Sequence, residues 1–101
     1  MIVILLPAYN EELSLPKLLP KFVKTFSELD EDYKIIVCDD GSTDRTKELL
    51  EGYSKKMPLE IIYHSINRGL GETCRDLFEK ACKISNGNDV IVRLDCDDTH
   101  D

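Results

Sequence analysis

The chain has 101 residues, with 13 basic and 20 acidic side chains and a formal charge of −7. That length makes it one domain or part of one, and 42% hydrophobic with 33% charged residues describes a globular chain rather than a disordered one. No block of Lys or Arg offsets the acidic balance, which argues against a nucleic-acid partner, because phosphate backbones demand concentrated positive charge.

Ile2-Val3-Ile4-Leu5-Leu6 is an unbroken apolar run ended by Pro7, the pattern of a strand buried on both faces. Pro7-Ala8-Tyr9-Asn10-Glu11-Glu12 reads as its exit loop. Leu15, Leu18, Leu19, Phe22, Val23, Phe26 and Leu29 then recur at helical spacing. Ser14 or Asn10 can cap that helix and Pro16 suits its first turn, while Pro20 is expected to bend it or delay its regular part. A second strand, Lys34 to Cys38, runs into Asp39-Asp40-Gly41-Ser42-Thr43-Asp44. Two carboxylates stand where the strand should end, and Gly41 permits a sharp turn. Ser42 or Thr43 can cap the next helix, and Asp44 in its first turn suits the positive end of the dipole. That helix carries Leu49, Leu50, Tyr53 and Met57 and is stopped by Pro58.

Leu59 to His64 is a third strand whose partial alternation suits a sheet edge. Asn67-Arg68-Gly69-Leu70-Gly71 feeds a third helix that aligns Cys74, Leu77, Phe78, Ala81 and Cys82 and ends at Asn86-Gly87-Asn88. Val90 to Leu94 is the fourth strand. The order β-α-β-α-β-α-β over residues 1–101 predicts a Rossmann-like, three-layer α/β/α unit with a parallel four-stranded sheet. All four strand exits then converge on one edge, the place where open α/β sheets bind ligands. Cys38, Cys74, Cys82 and Cys96 have neither C-x-x-C pairing nor zinc spacing, and are expected as buried reduced thiols that suit a cytoplasmic location. Met1 to Leu6 lacks the basic start and the length of a signal peptide, and no apolar run approaches the roughly 20 residues of a membrane span. His64 and His100 have no partner identifiable from the sequence, so His64 is expected simply to end its strand.

Asp95-Cys96-Asp97 follows the fourth strand directly. Hard oxygen ligands of this kind suit Mg²⁺ or Mn²⁺, which keep open positions for phosphate and would stabilise a diphosphate leaving group. Taken in order, Pro7-Ala8-Tyr9-Asn10-Glu11-Glu12, Asp39-Asp40-Gly41-Ser42-Thr43-Asp44, Asn67-Arg68-Gly69-Leu70-Gly71 and Leu94-Asp95-Cys96-Asp97 resemble glycosyltransferase family 2. These are inverting enzymes of the GT-A fold with nucleotide-sugar donors. The closing Asp95 to Asp101 stretch is similar to the dolichyl- and polyprenyl-phosphate glycosyltransferase branch.

That resemblance implies a metal-dependent transfer from a nucleotide-diphosphate sugar to an acceptor, a polyprenyl phosphate in that branch. It implies that Pro7, Ala8, Tyr9 and Glu11 line the nucleoside pocket, with Tyr9 offering a flat face to the base or ribose. Asp39 would accept from a ring nitrogen of the base, and Asp40 would support that loop or the ribose. Arg68 would sit near the diphosphate or sugar. Asp95 and Asp97 would contact the ribose and the metal, Asp97 as the direct ligand, with Asp98 facing solvent. It further implies a donor-binding N-terminal portion whose acceptor-activating base, like any membrane attachment, lies beyond Asp101.

Plainer readings stand beside these. Tyr9 could pack on the first helix, Arg68 could be a solvated loop charge, and Cys96 needs no chemistry. A non-catalytic nucleotide-binding module on the same fold is one alternative, since fold alone does not imply activity. A haloacid-dehalogenase-type phosphohydrolase is another, because Asp95-Cys96-Asp97-Asp98-Thr99 spells that family's Asp-x-Asp-x-Thr.

Overall fold

The computed structural model describes residues 1–96. Asp97, Asp98, Thr99, His100 and Asp101, and with them the expected direct metal ligand, lie outside the described residues. Seven elements alternate as expected: β1 (Ile2–Ala8), α1 (Leu15–Leu29), β2 (Tyr33–Asp40), α2 (Thr46–Ser54), β3 (Leu59–His64), α3 (Leu70–Ile84) and β4 (Val90–Arg93). The strands form one parallel sheet in the order β3-β2-β1-β4, so the chain steps outward from β1 to β3 and then returns to β1's other side. That reversal places a topological switch point between β1 and β4.

Alternation along the two central strands divides the interior into two layers. Ile4, Leu6 and Ala8 of β1 and Ile35 and Val37 of β2 pack with Leu15, Leu19 and Phe26 of α1 and Leu50 of α2. Val3 and Leu5, with Ile36 and Cys38, meet Leu77 and Ala81 of α3 on the opposite face. Burial on both faces explains why these strands read as continuous apolar runs. β3 lies at one edge, as its alternation suggested, and β4 at the other with Val90 exposed.

Several boundaries differ from the sequence reading. β1 continues through Pro7 and Ala8, and β2 through Asp39 and Asp40, because the β1–β2 ladder runs on to Ala8↔Asp39. Pro7 is tolerated because β4 pairs with β1 only as far as Leu5↔Arg93, so no ladder donor is needed there. α1 runs through Pro20, which forfeits only the bond to the Pro16 carbonyl one turn from the helix start. Neither Ser42 nor Thr43 caps α2, which starts at Thr46, and Asp44 precedes the helix instead of lying in its first turn. The inward stripe of α3 is Thr73, Leu77 and Ala81, so Cys74, one position round, is half-buried and Cys82 is exposed. Only Cys38 and Cys96 are buried thiols, and burial pushes each up to about 12. No helix among the described residues is long and apolar enough to cross a membrane.

Candidate functional site

The two carboxylates at the end of β2 are neighbours in sequence but point to opposite faces of the sheet. Asp39 turns to the α1/α2 side, is buried, and accepts the Ser42 backbone N–H at 3.1 Å. Asp40 turns to the α3 side, also buried. Its Oδ1 accepts the Arg68 backbone N–H at 2.8 Å and faces His64 Nδ1 at 2.7 Å, while its Oδ2 accepts the Gly69 N–H at 3.0 Å. Burial works to raise the Asp40 carboxyl, yet the bonds from His64, Arg68 and Gly69 outweigh it and hold the group below the usual carboxylate range. Asp40 therefore fixes the β3–α3 loop from beneath. Gly41 allows that loop to pass closely, since a Cβ there, at φ +72°, would stand 2.4 Å from Asn67 N.

The β1 and β2 exits are stitched together by side chains. Asn10, in a left-handed conformation (φ 51°), accepts the Thr43 N–H at 2.8 Å through Oδ1 and donates its own N–H to Ser42 Oγ at 3.0 Å. The Glu11 N–H reaches Thr46 Oγ1 at 2.8 Å, and the Thr46 hydroxyl in turn donates to Asp44 Oδ1. Burial raises the Asp44 carboxyl, but bonds from Thr46 and from the Glu12 N–H bring it below its ordinary value. Asn10, Asp44 and the fully buried Thr46 thus orient the loop that presents Tyr9 and Glu11.

What these loops enclose is an open cleft of about 530 Å³ at the carboxyl ends of the strands. Pro7, Ala8, Tyr9 and Glu11 form its β1 wall, and Asp40 lies at its base. Asn67, Gly69, Leu70 and Thr73 supply the wall from the start of α3, and Asp95 and Cys96 close it after β4. Tyr9 is 45% exposed on this wall. Asp95 is exposed at the mouth, 3.5 Å from the Arg93 guanidinium. Asp39 and Arg68 do not line the cleft: Asp39 is turned under the Ser42 turn, and Arg68 is exposed and contributes its backbone N–H to Asp40. Among the described residues no three His, Cys, Asp or Glu side chains gather as a metal cluster.

Sequence reasoning assigned no role to Thr73, to Cys96 or to His64. The Thr73 stripe was visible as the spacing 73, 77, 81, had polar residues been admitted to the inward face. Cys96 is buried against β1 with its thiol donating to the Pro7 carbonyl at 3.4 Å. His64 does end its strand, but it is far from unpartnered. The β2–β3 register sets it abreast of Asp40, and its other nitrogen lies 2.6 Å from Asp76 Oδ2 of α3. Its bond to Asp40 raises its pKa most; burial opposes this and Asp76 adds to the rise.

A four-exit cleft on this sheet agrees with the comparison that decides the family: the model for glycosyl transferase family 2 matches residues 3–101. The chain belongs to that family. This overturns the haloacid-dehalogenase alternative, whose Asp-x-Asp-x-Thr match rested on the last residues alone. Similar curated relatives include the undecaprenyl-phosphate 4-deoxy-4-formamido-L-arabinose transferases of Proteus mirabilis and Pseudomonas fluorescens. They are 32% and 36% identical over 93% of this chain, which spans only 28% and 27% of their lengths. Among solved structures, S. aureus TarS 1–349 in complex with UDP-GlcNAc superposes with a TM-score of 0.77. It is 26% identical, with 95% of this chain and 26% of that one covered. The Pyrobaculum calidifontis mannosyltransferase PcManGT in complex with GDP-Man and Mn²⁺ shares the fold, with a TM-score of 0.68 at 20% identity and coverage of 95% and 27%.

Proposed function

We propose that the chain forms the donor-binding part of a metal-dependent, inverting glycosyltransferase and that the cleft receives a nucleotide-diphosphate sugar. The observation that carries this reading is the exposed Tyr9 ring on one wall of the cleft with Asp95 at its mouth, on a family 2 fold. Tyr9 offers the base or ribose a flat face over Pro7 and Ala8, and Glu11 accepts from the ribose. Asp40 acts from below by holding the Asn67–Gly69 wall in place.

Asp39 remains the proposed acceptor for a base nitrogen, through lone pairs that the single Ser42 N–H bond leaves available, and Arg68 the proposed contact to the diphosphate, which requires its exposed side chain to fold over the cleft. Asp95 presents hard oxygen donors, and together with Asp97 it would hold Mg²⁺ or Mn²⁺ while the diphosphate fills further positions. A bound cation of this kind neutralises the departing diphosphate. The relatives' names support a polyprenyl phosphate as the acceptor. A lipid-linked acceptor of that kind would put the work at a membrane, which the reading takes to be its cytoplasmic face. Because the chain spans about a quarter of those relatives, the reading assigns it donor and cation binding and no acceptor-activating base.

Calorimetric titration with UDP and GDP, with and without Mn²⁺, tests this. Metal-dependent binding that prefers one base and is lost in Tyr9→Ala and Asp95→Asn is the expected result. Metal-independent binding, or binding untouched by both substitutions, would sink the assignment.

A further inference from the structure

His64 sits where three elements meet: it ends β3, stands abreast of Asp40 of β2, and reaches Asp76 of α3. It is 8% exposed, and both ring nitrogens face carboxylate oxygens, at 2.7 and 2.6 Å. A carboxylate only accepts hydrogen bonds, and a neutral imidazole has one N–H. With both carboxylates ionised, two such short contacts are satisfied together only by the doubly protonated ring; with one proton fewer, a nitrogen lone pair would face a carboxylate oxygen at bonding distance.

The two carboxylates are unequal. The Asp40 side chain is 6% exposed and held by two backbone N–H groups as well. The Asp76 side chain is 26% exposed, and its other oxygen lies 4.0 Å from the exposed Arg75 guanidinium. The remaining titratable group against the ring is Cys38 of β2, whose Sγ is 3.7 Å from Nε2 and whose thiol burial keeps neutral. When the ring loses a proton, Asp76 is therefore the partner free to turn to water.

Asp76 is on the helix whose first turns make a cleft wall through Leu70 and Thr73. We propose that His64 is a positioning residue that pins α3 to the strand exits, and that loss of its second ring proton releases Asp76 and loosens the α3 wall of the cleft. The pin is independent of what fills the cleft, and only its effect on affinity rests on the nucleotide reading above. The affinity for an anionic donor falls as the pin opens, because the wall is no longer preorganised.

Two-dimensional NMR of the isotopically labelled chain, taken from about pH 5 to about pH 10 to span histidine titration, reads the pin directly. The Gly69, Leu70 and Thr73 amides are expected to shift together with the His64 ring at one shared midpoint. Asp76→Asn, which keeps the shape and removes the charge, should move that midpoint down by about one pH unit, the effect of losing one close opposite charge. His64→Gln should abolish the transition. Amides that stay flat while His64 titrates, a midpoint unmoved in Asp76→Asn, or a transition that persists in His64→Gln overturn the proposal, and the Asp76→Asn midpoint decides it even where His64→Gln does not fold. Titration with UDP and with GDP, each in the presence of Mg²⁺, at the two ends of the range is the separate readout. No binding of either nucleotide at either end, with the shared amide transition intact, refutes the nucleotide reading while leaving the pin standing.

Discussion

At the scale of single residues, Asp40 shows how one carboxylate can serve packing and the cleft at once. Its three donors come from β3 and from the loop that follows it, so the side chain substitutes for the ladder that has just ended. Asp40→Ala would strand two backbone N–H groups and take the acceptor from His64 Nδ1 while leaving its bond to Asp76, and urea unfolding at neutral pH should show a loss of about 1–3 kcal/mol. The pH dependence follows from the signs. Asp40 and Asp44 are depressed, so the stability they add is complete above the ordinary value of 3.8 and is lost as pH falls through their lower folded values. His64 is raised, so its contribution is complete below 6.5 and is lost as pH rises through its higher folded value. Urea midpoints against pH should therefore fall on both sides of a plateau, with the alkaline fall missing in His64→Gln. Gly41→Ala is a second test at this scale. Its positive φ and the 2.4 Å approach of Asn67 N leave no room for a methyl group, and destabilisation of about 1–3 kcal/mol with displaced Asn67 and Gly69 amide resonances is expected.

At the scale of elements, the helices are held by their apolar stripes, but their starts are set by neighbouring loops. Arg45 at the start of α2 makes no capping bond; the Asp44 carboxylate accepts the Thr46 N–H at 2.9 Å instead, and the Thr46 hydroxyl joins Asp44 to the β1 exit. Thr46→Val keeps the volume and removes the hydroxyl to which the Glu11 N–H donates. A loss of about 1–3 kcal/mol in thermal or urea unfolding is expected. Because Glu11 lines the cleft, nucleotide affinity should fall in the same variant, although residue 46 lies outside the cleft wall.

At the scale of the whole molecule, stability is graded across the sheet. β1 and β2 are central and buried on both faces, whereas β4 has four residues, one neighbour among the described residues and an exposed Val90. Hydrogen exchange should be slowest at Val3 to Leu6 and Ile35 to Cys38 and much faster at Val90 to Arg93, and equal protection across the sheet would contradict this. The cleft opens beside that weaker edge, between β1 and the segment after β4. Ordering of Asp95 by a ligand is thus expected to slow exchange in β4 before it does so in β2.

The order of elements, the parallel sheet and the convergence of four exits were legible in the sequence because each depends on local pattern. Five-residue apolar runs, helical spacing and a crossover between parallel strands leave few other arrangements. The family motifs were legible for the same reason, as short stretches at strand ends. What the sequence left open was which side chain meets which. Asp39 and Asp40 part company because a strand's side chains alternate, and the strand had to be seen to continue through both. His64 gains its partners from a β2–β3 register and from a helix a dozen residues later, and Asn10 meets Ser42 and Thr43 across two loops. Register and docking are settled by the total packing of the two layers, to which no local window of sequence has access, so only the tertiary structure could decide them.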